Sequence, residues 1–408
     1  MTALPAAADF ADPPRPADLG RWAEADVASR PARVARVRAR CAEAGVDAYF
    51  GVRREHMRYL TGFALGDGEE KVAGLSGQFV ISADEVVVLA DSRYTIQARH
   101  EAPGARLFEA YGNLPERWPE LTASVGARRI AVEAGFVSQA AWSRLAAAAP
   151  DVELVPVEGW VEADRAMKEP AELERVAAAC AVADRALATL LPRIRAGVTE
   201  ADLALQLEWL VRTGGAEALA FDVACLAGPQ AALPHGSPGD RPVMAGAVLL
   251  FDFGAQVAGY RSDMTRTLFV GAPSVRDLEI YELVARAQAA AIEALERSVA
   301  ERAPGDPLPT GRAIDAVARD VIAAAGHGEH FGHGTGHGIG LATHEAPSLG
   351  RTAPEMPLPS PTVFSVEPGV YLDGETGVRI EDLVAFDAAE GRVERLTRFP
   401  REALVVGG

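Results

Sequence analysis

The sequence predicts an α/β two-domain protein, an N-terminal α/β domain followed by a C-terminal α+β domain. Two observations carry this. Across residues 31–162, apolar runs of strand length alternate with helical stretches, the texture of an α/β layer fold. From residue 163 to 408 the texture changes to long helices separated by paired strand-like runs. The 408 residues, 49% hydrophobic and 24% charged, have ordinary globular composition and suffice for two domains.

The elements follow in order. Residues 1–30, rich in Ala, Pro and Asp at their start ("MTALPAAADFADPPRPADLG"), are expected to form a disordered or loosely attached arm. "ARVARVRARCAEAG" reads as a helix and "VDAYFGV" as a strand. "QFVIS" and "EVVVLAD" are strands around the turn residues Ala83 and Asp84. "RIAVE" and "VELVPV" are strands on either side of the helix "SQAAWSRLAAAA". The domain boundary is placed between Trp160 and Met167. Beyond it, "RAMKEPAELERVAAACAVADRALATLLPRI" is a long helix with Pro170 in its first turn. "TEADLALQLEWLVRTGG" is a second, capped by Thr199 and stopped by Gly214. Two further helices, 274–300 and 311–326, precede strands near 361–372 and 376–386.

Composition narrows the function classes. A net charge of −17 argues against a nucleic-acid or anionic-membrane surface. The N-terminus lacks the basic start and apolar core of a signal peptide, and no apolar run approaches membrane-spanning length. A soluble, cytoplasmic protein is expected. Cys41, Cys180 and Cys225 are far apart with no C-x-x-C, which argues against a disulfide framework or thiolate metal site and for small buried hydrophobes.

The chemistry concentrates in two hairpins. "AVLLFDFGAQVAGYRSDMTRTLFV" carries Asp252 and Asp263 in apolar, strand-like surroundings, where strands usually exclude Asp. With a turn centred on Val257 and Ala258, the two acids lie opposite each other on one face. "TVFSVEPGVYLDGETGVRIEDLVAF", with its turn centred on Gly374, puts Glu367 opposite Glu381. Opposed like charges are unfavourable in a sheet, so a cation is expected between them, either an arginine or a metal ion. Glu381 and Asp382 are adjacent and must face opposite ways.

Between the hairpins, "HFGHGTGHGIGLATHEAPS" alternates glycine with His333, Thr335, His337, Ile339 and Leu341. Five of the eight histidines lie between 327 and 344. An extended segment of this kind bares one face to close backbone or ligand approach. It fits neither G-x-G-x-x-G nor a G-K-[ST] loop. Asp252, Asp263, Glu367 and Glu381 with His337 form a set of hard oxygen donors with one nitrogen. Two divalent ions would balance four carboxylates, and Mn, Fe or Co suit such donors better than a structural zinc site does. A metal pair of this kind commonly drives hydrolysis.

Four blocks, "LPHGSPGDRPV", "DFGAQVAGYRSDMTRT", "GHGTGHGIGLATHEAPS" and "SVEPGVYL…GVRIED", resemble the creatinase/prolidase/aminopeptidase P family. The spacings, eleven positions between the aspartates and fourteen between the glutamates, fit that family too. "VDAYFGVRREHMRYLTGF" and "MKEPAELERVAAAC" resemble its N-terminal domain and the start of its catalytic domain. The resemblance implies a creatinase-like N-terminal domain over 31–162 and a catalytic domain of pita-bread fold over 163–408. It implies a metallopeptidase that cleaves the bond before proline, as an Xaa-Pro dipeptidase or aminopeptidase, and a homodimer. Two divalent ions are implied, Mn(II) first, with Co, Fe or Zn as alternatives. Asp252 would bind one ion, His337 and Glu367 the other, and Asp263 and Glu381 both. Glu367 would shuttle a proton to the leaving nitrogen, His344 would support the tetrahedral intermediate, and His235 would contact substrate at the same centre. His333 and Arg379 would hold the residue after the scissile bond or its carboxylate. Arg266 would be structural.

Departures are few. Thr343 stands where the family has Val or Ile, and Ala247 where it has an acid. The alternatives are a non-proline C–N hydrolase or lyase on the same fold, or an inactive peptide-binding module. Creatinase has lost metal ligands that this chain keeps. Methionine aminopeptidase does not need the preceding α/β domain. The sulfonium-compound lyase has an added acid where this chain has Phe253. A dead module would show lost ligands, and none is lost.

Overall fold

The computed structural model describes residues 4–66, 77–109, 114–303 and 305–407. The chain divides into two compact units, Gly20–Asp164 and Met1–Leu19 together with Arg165–Gly408.

In the smaller unit, helix α1 (Pro16–Ala44) leads to strand β1 (Ala48–Gly51), α2 (Arg54–Thr61), β2 (Gln78–Ser82), β3 (Val86–Ala90), α3 (Thr95–Glu101) and β4 (Arg106–Glu109). Then come α4 (Leu114–Ser124), β5 (Arg129–Glu133), α5 (Gln139–Ala148), β6 (Glu153–Val157) and α6 (Trp160–Ala166). The strands form one sheet in the order β4-β3-β2-β1-β5-β6. Only β1–β2 and β2–β3 within it are antiparallel. Near-continuous apolar strands such as "VVVLA" are buried on both faces, as sheets covered by helices require, around Phe50, Trp118, Leu89 and Val132.

The expected loose arm is ordered from residue 4 on. Helix α1 begins at Pro16 and continues through Pro31. An interior proline costs a backbone hydrogen bond, but the Ala-, Arg- and Glu-rich residues around it favour helix, and Trp22 on α1 is buried. Before α1, Phe10 stacks on Phe399 with centroids 6.0 Å apart. Arg185 donates to the carbonyls of Ala7 and Phe10.

The larger unit opens with α7 (Pro170–Leu190) and α8 (Glu200–Thr213). Helix α7 starts at Pro170 rather than Arg165, with Glu169 extended before it (φ −74°, ψ 156°), because a residue preceding proline avoids helical geometry. Thr199 caps α8 by accepting from the Asp202 amide. Strands β7 (Ala218–Leu219), β8 (Ala224–Ala227), β9 (Val248–Phe253), β10 (Ala255–Val257), β11 (Tyr260–Arg261) and β12 (Met264–Val270) follow. Helices α9 (Val275–Ala300) and α10 (Gly311–Ala324) come next. The chain closes with β13 (Gly336–Gly338), β14 (Glu345–Leu349), β15 (Thr362–Val366), β16 (Gly369–Leu372), β17 (Thr376–Arg379), β18 (Asp382–Asp387), β19 (Arg392–Arg395) and β20 (Val405–Val406). Two sheets, β20-β12-β9-β8 and β14-β13-β15-β18-β19, position the acids, Asp252 within β9 and Asp263, Glu367 and Glu381 one residue beyond the ends of β12, β15 and β18. They share one core with α9 and α10, in which Val284, Ala291 and Ile314 meet Leu250, Phe269, Phe364 and Val366.

Cys41, Cys180 and Cys225 are free and buried. No helix among the described residues is long and apolar enough to cross a membrane.

Candidate metal centre

The two hairpins differ in register. In the first, Val257 pairs with Tyr260, so the loop is Ala258–Gly259, one residue beyond the expected centre. Both loop residues have positive φ, 48° and 86°, as a two-residue turn matched to strand twist requires. Asp252 therefore faces Thr265, not Asp263. The offset is two residues, so the period-two alternation keeps Asp252 and Asp263 on one face, as diagonal neighbours. In the second hairpin, Val366 pairs with Asp382 and Gly369 with Arg379. This register, centred on Gly374, places Glu367 against Glu381 as the sequence predicts.

The acids converge on a cavity of about 390 Å³, also lined by Phe221, Pro234, His235, His333, His337, Thr343, His344 and Arg379. All nine residues singled out from sequence thus meet in one place. Ligating atoms of Asp263, His337 and Glu381 lie within 4.8 Å of one another. His337 Nε2 is 3.2 Å from Glu367 Oε1 and 3.8 Å from Asp263 Oδ2. Glycine makes this approach possible. A Cβ on Gly336 would lie 1.8 Å from the Ser365 carbonyl oxygen, and one on Gly338 2.2 Å from that of Ala346.

The two arginines named from sequence have defined places. Arg379 Nη2 donates to Asp252 Oδ2 at 2.6 Å. Its Nε donates to Thr265 Oγ1 and its Nη1 to Tyr371 Oη and the Pro234 carbonyl. A guanidinium has five N–H groups, so among the described residues one Nη2–H stays open to a ligand. Arg266 lies behind the site, buried against Asp382 at 2.6 Å and donating to the Pro400 and Phe399 carbonyls. Glu381 thus faces the cavity and Asp382 faces away.

Hydrogen bonding fixes the imidazoles. His337 Nδ1–H donates to the Gly338 carbonyl, which aims Nε2 at the carboxylates. That is the usual orientation of a metal-binding histidine. Burial works against the His337 charge, but the hydrogen bond to Glu367 and that acid's charge raise it to about 9, so without a metal Nε2 carries a proton that a bound cation would replace. His333 Nδ1–H donates to the Gly334 carbonyl, and Nε2 accepts from Tyr371 Oη–H. Both His333 nitrogens are thereby engaged, so it offers a substrate a ring face. The His344 ring stands 4.2 Å from that of His337.

The donor set fits divalent cations. Among the described residues, Asp252 Oδ1 and Glu381 Oε1 are buried without a hydrogen-bond partner, a costly condition for carboxylate oxygens unless a cation binds them. Burial, then the charges of neighbouring acids, push Asp263 and Glu381 well above the usual carboxylate range. Burial also raises Asp252 despite Arg379. Burial would raise Glu367 too, but the hydrogen bond and charge of His337 hold it at about 2. Burial and then the His337 charge push His344 down.

Several contributors were not singled out from sequence. Thr265 Oγ1 donates to Glu381 Oε2 at 2.7 Å. Ser365 Oγ donates to Glu367 Oε1 and accepts from the His337 amide. Tyr371 links His333 to Arg379. The signal available was position alone, since each lies one or two residues from an identified acid or within the same hairpin.

The profile of metallopeptidase family M24 matches residues 174–388, and that of the creatinase/prolidase N-terminal domain matches residues 33–167. The chain belongs to metallopeptidase family M24, a creatinase-type N-terminal domain followed by a pita-bread catalytic domain. It is a metallopeptidase. An uncharacterized peptidase of Bacillus subtilis is 34% identical over 362 residues, 89% of this chain and 96% of its own length. The Xaa-Pro dipeptidase of Pyrococcus furiosus is 38% identical over 240 residues, 59% of this chain and 65% of its own. Among solved structures, an Xaa-Pro dipeptidase from Bacillus anthracis superposes with TM-score 0.82 at 32% identity, covering 92% of this chain and all of that one. An X-Pro aminopeptidase from Thermotoga maritima does so with TM-score 0.76 at 33% identity, covering 90% of this chain and 100% of that one.

Proposed function

We propose that this chain hydrolyses the peptide bond preceding proline in short peptides, with dipeptides as its first substrates and two divalent cations, Mn(II) first among them, in the carboxylate cavity. The observation that carries the reading is the pair of buried oxygens without a partner among the described residues, Asp252 Oδ1 and Glu381 Oε1, lining one cavity with His337. Asp252 would hold one ion, His337 Nε2 and Glu367 the other, and Asp263 and Glu381 both. Two such ions supply Lewis acidity and a nucleophile at neutral pH.

The chain's own groups do the rest. Glu367, held by Ser365, carries the proton to the leaving nitrogen. His344 donates to the oxygen that gains charge in the transition state. His235 lines the cavity at the same centre. The His333 ring and the remaining Arg379 N–H border the space for the residue after the scissile bond, held by the Tyr371 hydroxyl between them. A bond before proline has no N–H to satisfy, so that side of the cavity requires no acceptor for it. A cavity of about 390 Å³ lies within the range of small-ligand sites. The Xaa-Pro dipeptidases named above support the same reading, and the similarity to the X-Pro aminopeptidase supports the tripeptide alternative.

The test is hydrolysis of Ala-Pro and Ala-Pro-Ala by metal-stripped protein, with and without added Mn(II). Alanine released chiefly from the dipeptide, and only with metal, is the expected result. Release chiefly from the tripeptide assigns an aminopeptidase. No release from either, with metal bound, overturns the proline reading in favour of another C–N hydrolase, a lyase or a peptide-binding module.

A further inference from the structure

His344 is exposed, and among the described residues no hydrogen bond holds its imidazole; its ring contact is with His337. Its placement must come from the backbone on either side. On one side, Thr343 Oγ1 donates to the Ala220 carbonyl and accepts from Arg261 Nη1. On the other, the Glu345 carboxylate turns away from the cavity into a charged cluster. Lys168 Nζ, on a fully buried side chain, donates to Glu345 Oε1 at 2.7 Å. Arg165 Nη2 donates to Glu345 Oε2, which also accepts from the Ala342 amide at 3.3 Å. Only 4% of the Glu345 side chain is exposed. Gly340 makes room for it, since a Cβ there would sit 2.5 Å from Glu345 Oε1. The Lys168 amide is fixed in turn to the Pro361 carbonyl at 2.8 Å. Two cations, one carboxylate and one glycine therefore pin the loop 340–345 from behind.

We infer that Glu345, clamped by Lys168 and Arg165, is a positioning residue that sets where His344 stands over the metal centre. The clamp's strength comes from burial. Charge-assisted bonds are the strong ones, and removing one partner of a buried pair leaves an uncompensated charge. The inference rests on the proposed role of His344. A shift of about 1 Å in a group that stabilises the transition state can cost about a hundredfold in rate.

The test is a double-mutant cycle in the Mn(II)-loaded protein, with Ala-Pro as substrate. Glu345→Gln keeps shape and removes charge. It should lower kcat by about a hundredfold, leaving KM and bound manganese within twofold of wild type. In the His344→Ala background it should lower kcat no further, because a residue acting through His344 has nothing left to act on. Additive losses, or loss of metal in step with activity, overturn the inference. Should Glu345→Gln fail to fold, Lys168→Gln, which leaves Arg165 in place, carries the same test. A second readout separates this inference from the proposed function. The ¹³Cε1–¹H signal of His344, assigned by its disappearance in His344→Ala, should shift or broaden in Glu345→Gln whatever the substrate is. An unchanged signal overturns the inference; a changed signal in a protein inactive on Ala-Pro keeps it and overturns the substrate reading.

Discussion

The two acid-bearing hairpins solve the same electrostatic problem differently. In β9–β12, Asp252 has an arginine, Arg379, at 2.6 Å, and the register sets Asp263 on the diagonal. In β15–β18, Glu367 and Glu381 directly oppose each other, and the cationic partner at hand is His337, 3.2 Å from Glu367. One hairpin has a permanent guanidinium as its counter-charge; the other has an imidazolium whose proton a bound cation can replace. Asp252 keeps one oxygen bonded and one free, and Glu381 does the same through Thr265. Each hairpin therefore presents a fixed carboxylate with one open oxygen, a preorganised half-site for hard cations.

Breaking the shared part of this arrangement has the largest expected effect. Asp263→Asn keeps size but removes the charge that the two proposed half-sites would share. Activity on Ala-Pro should fall to background and bound manganese should drop, as read by elemental analysis beside the assay. Near-normal turnover with metal retained would remove Asp263 from the ligand set. His344→Ala comes next and leaves both hairpins intact. A fall in kcat of about 100- to 1,000-fold is expected, with metal content unchanged; loss of metal instead would make His344 a support of the ligands.

Arg379→Met sharpens the comparison itself. It strips the first hairpin of the cation that β17 lends it and should destabilise the metal-free protein by about 3 kcal/mol, as breaking a buried pair does. Saturating Mn(II) should recover part of that loss in a denaturant titration, because an added cation compensates Asp252. An unaltered midpoint without metal would show that Arg379 does not neutralise this hairpin. The smallest effect belongs to the turn. Ala258 has φ 48°, a conformation that costs alanine about 1–2 kcal/mol and that asparagine visits readily. Ala258→Asn should gain about 0.5 kcal/mol with activity unchanged.

Ala258 also marks where the sequence was hard to read. A two-residue loop of positive φ is signalled by Asn-Gly or Gly-Gly, and alanine hides it, so the first register came out two residues off. Parity protected the functional reading, since a shift of two preserves the face. The second turn, "DGETG", is explicit, and its register was legible to the residue. The four acidic ligands of the proposal stood out because acids in apolar strand-like runs need a reason, and His337 because it stands in a run that alternates with glycine. Thr265, Ser365 and Tyr371 did not, because threonine, serine and tyrosine are unremarked in strands until a partner is seen. The helix through Pro31 was masked by the proline itself, which reads locally as a break although the flanking residues favour helix.

The most direct test of the two-hairpin account is the number of ions the cavity holds. Metal-free wild-type protein, equilibrated by dialysis against Mn(II) and analysed for manganese per chain, should saturate at two. Saturation at one ion, or none, would contradict the assignment of four carboxylates and His337 to a shared pair of cations.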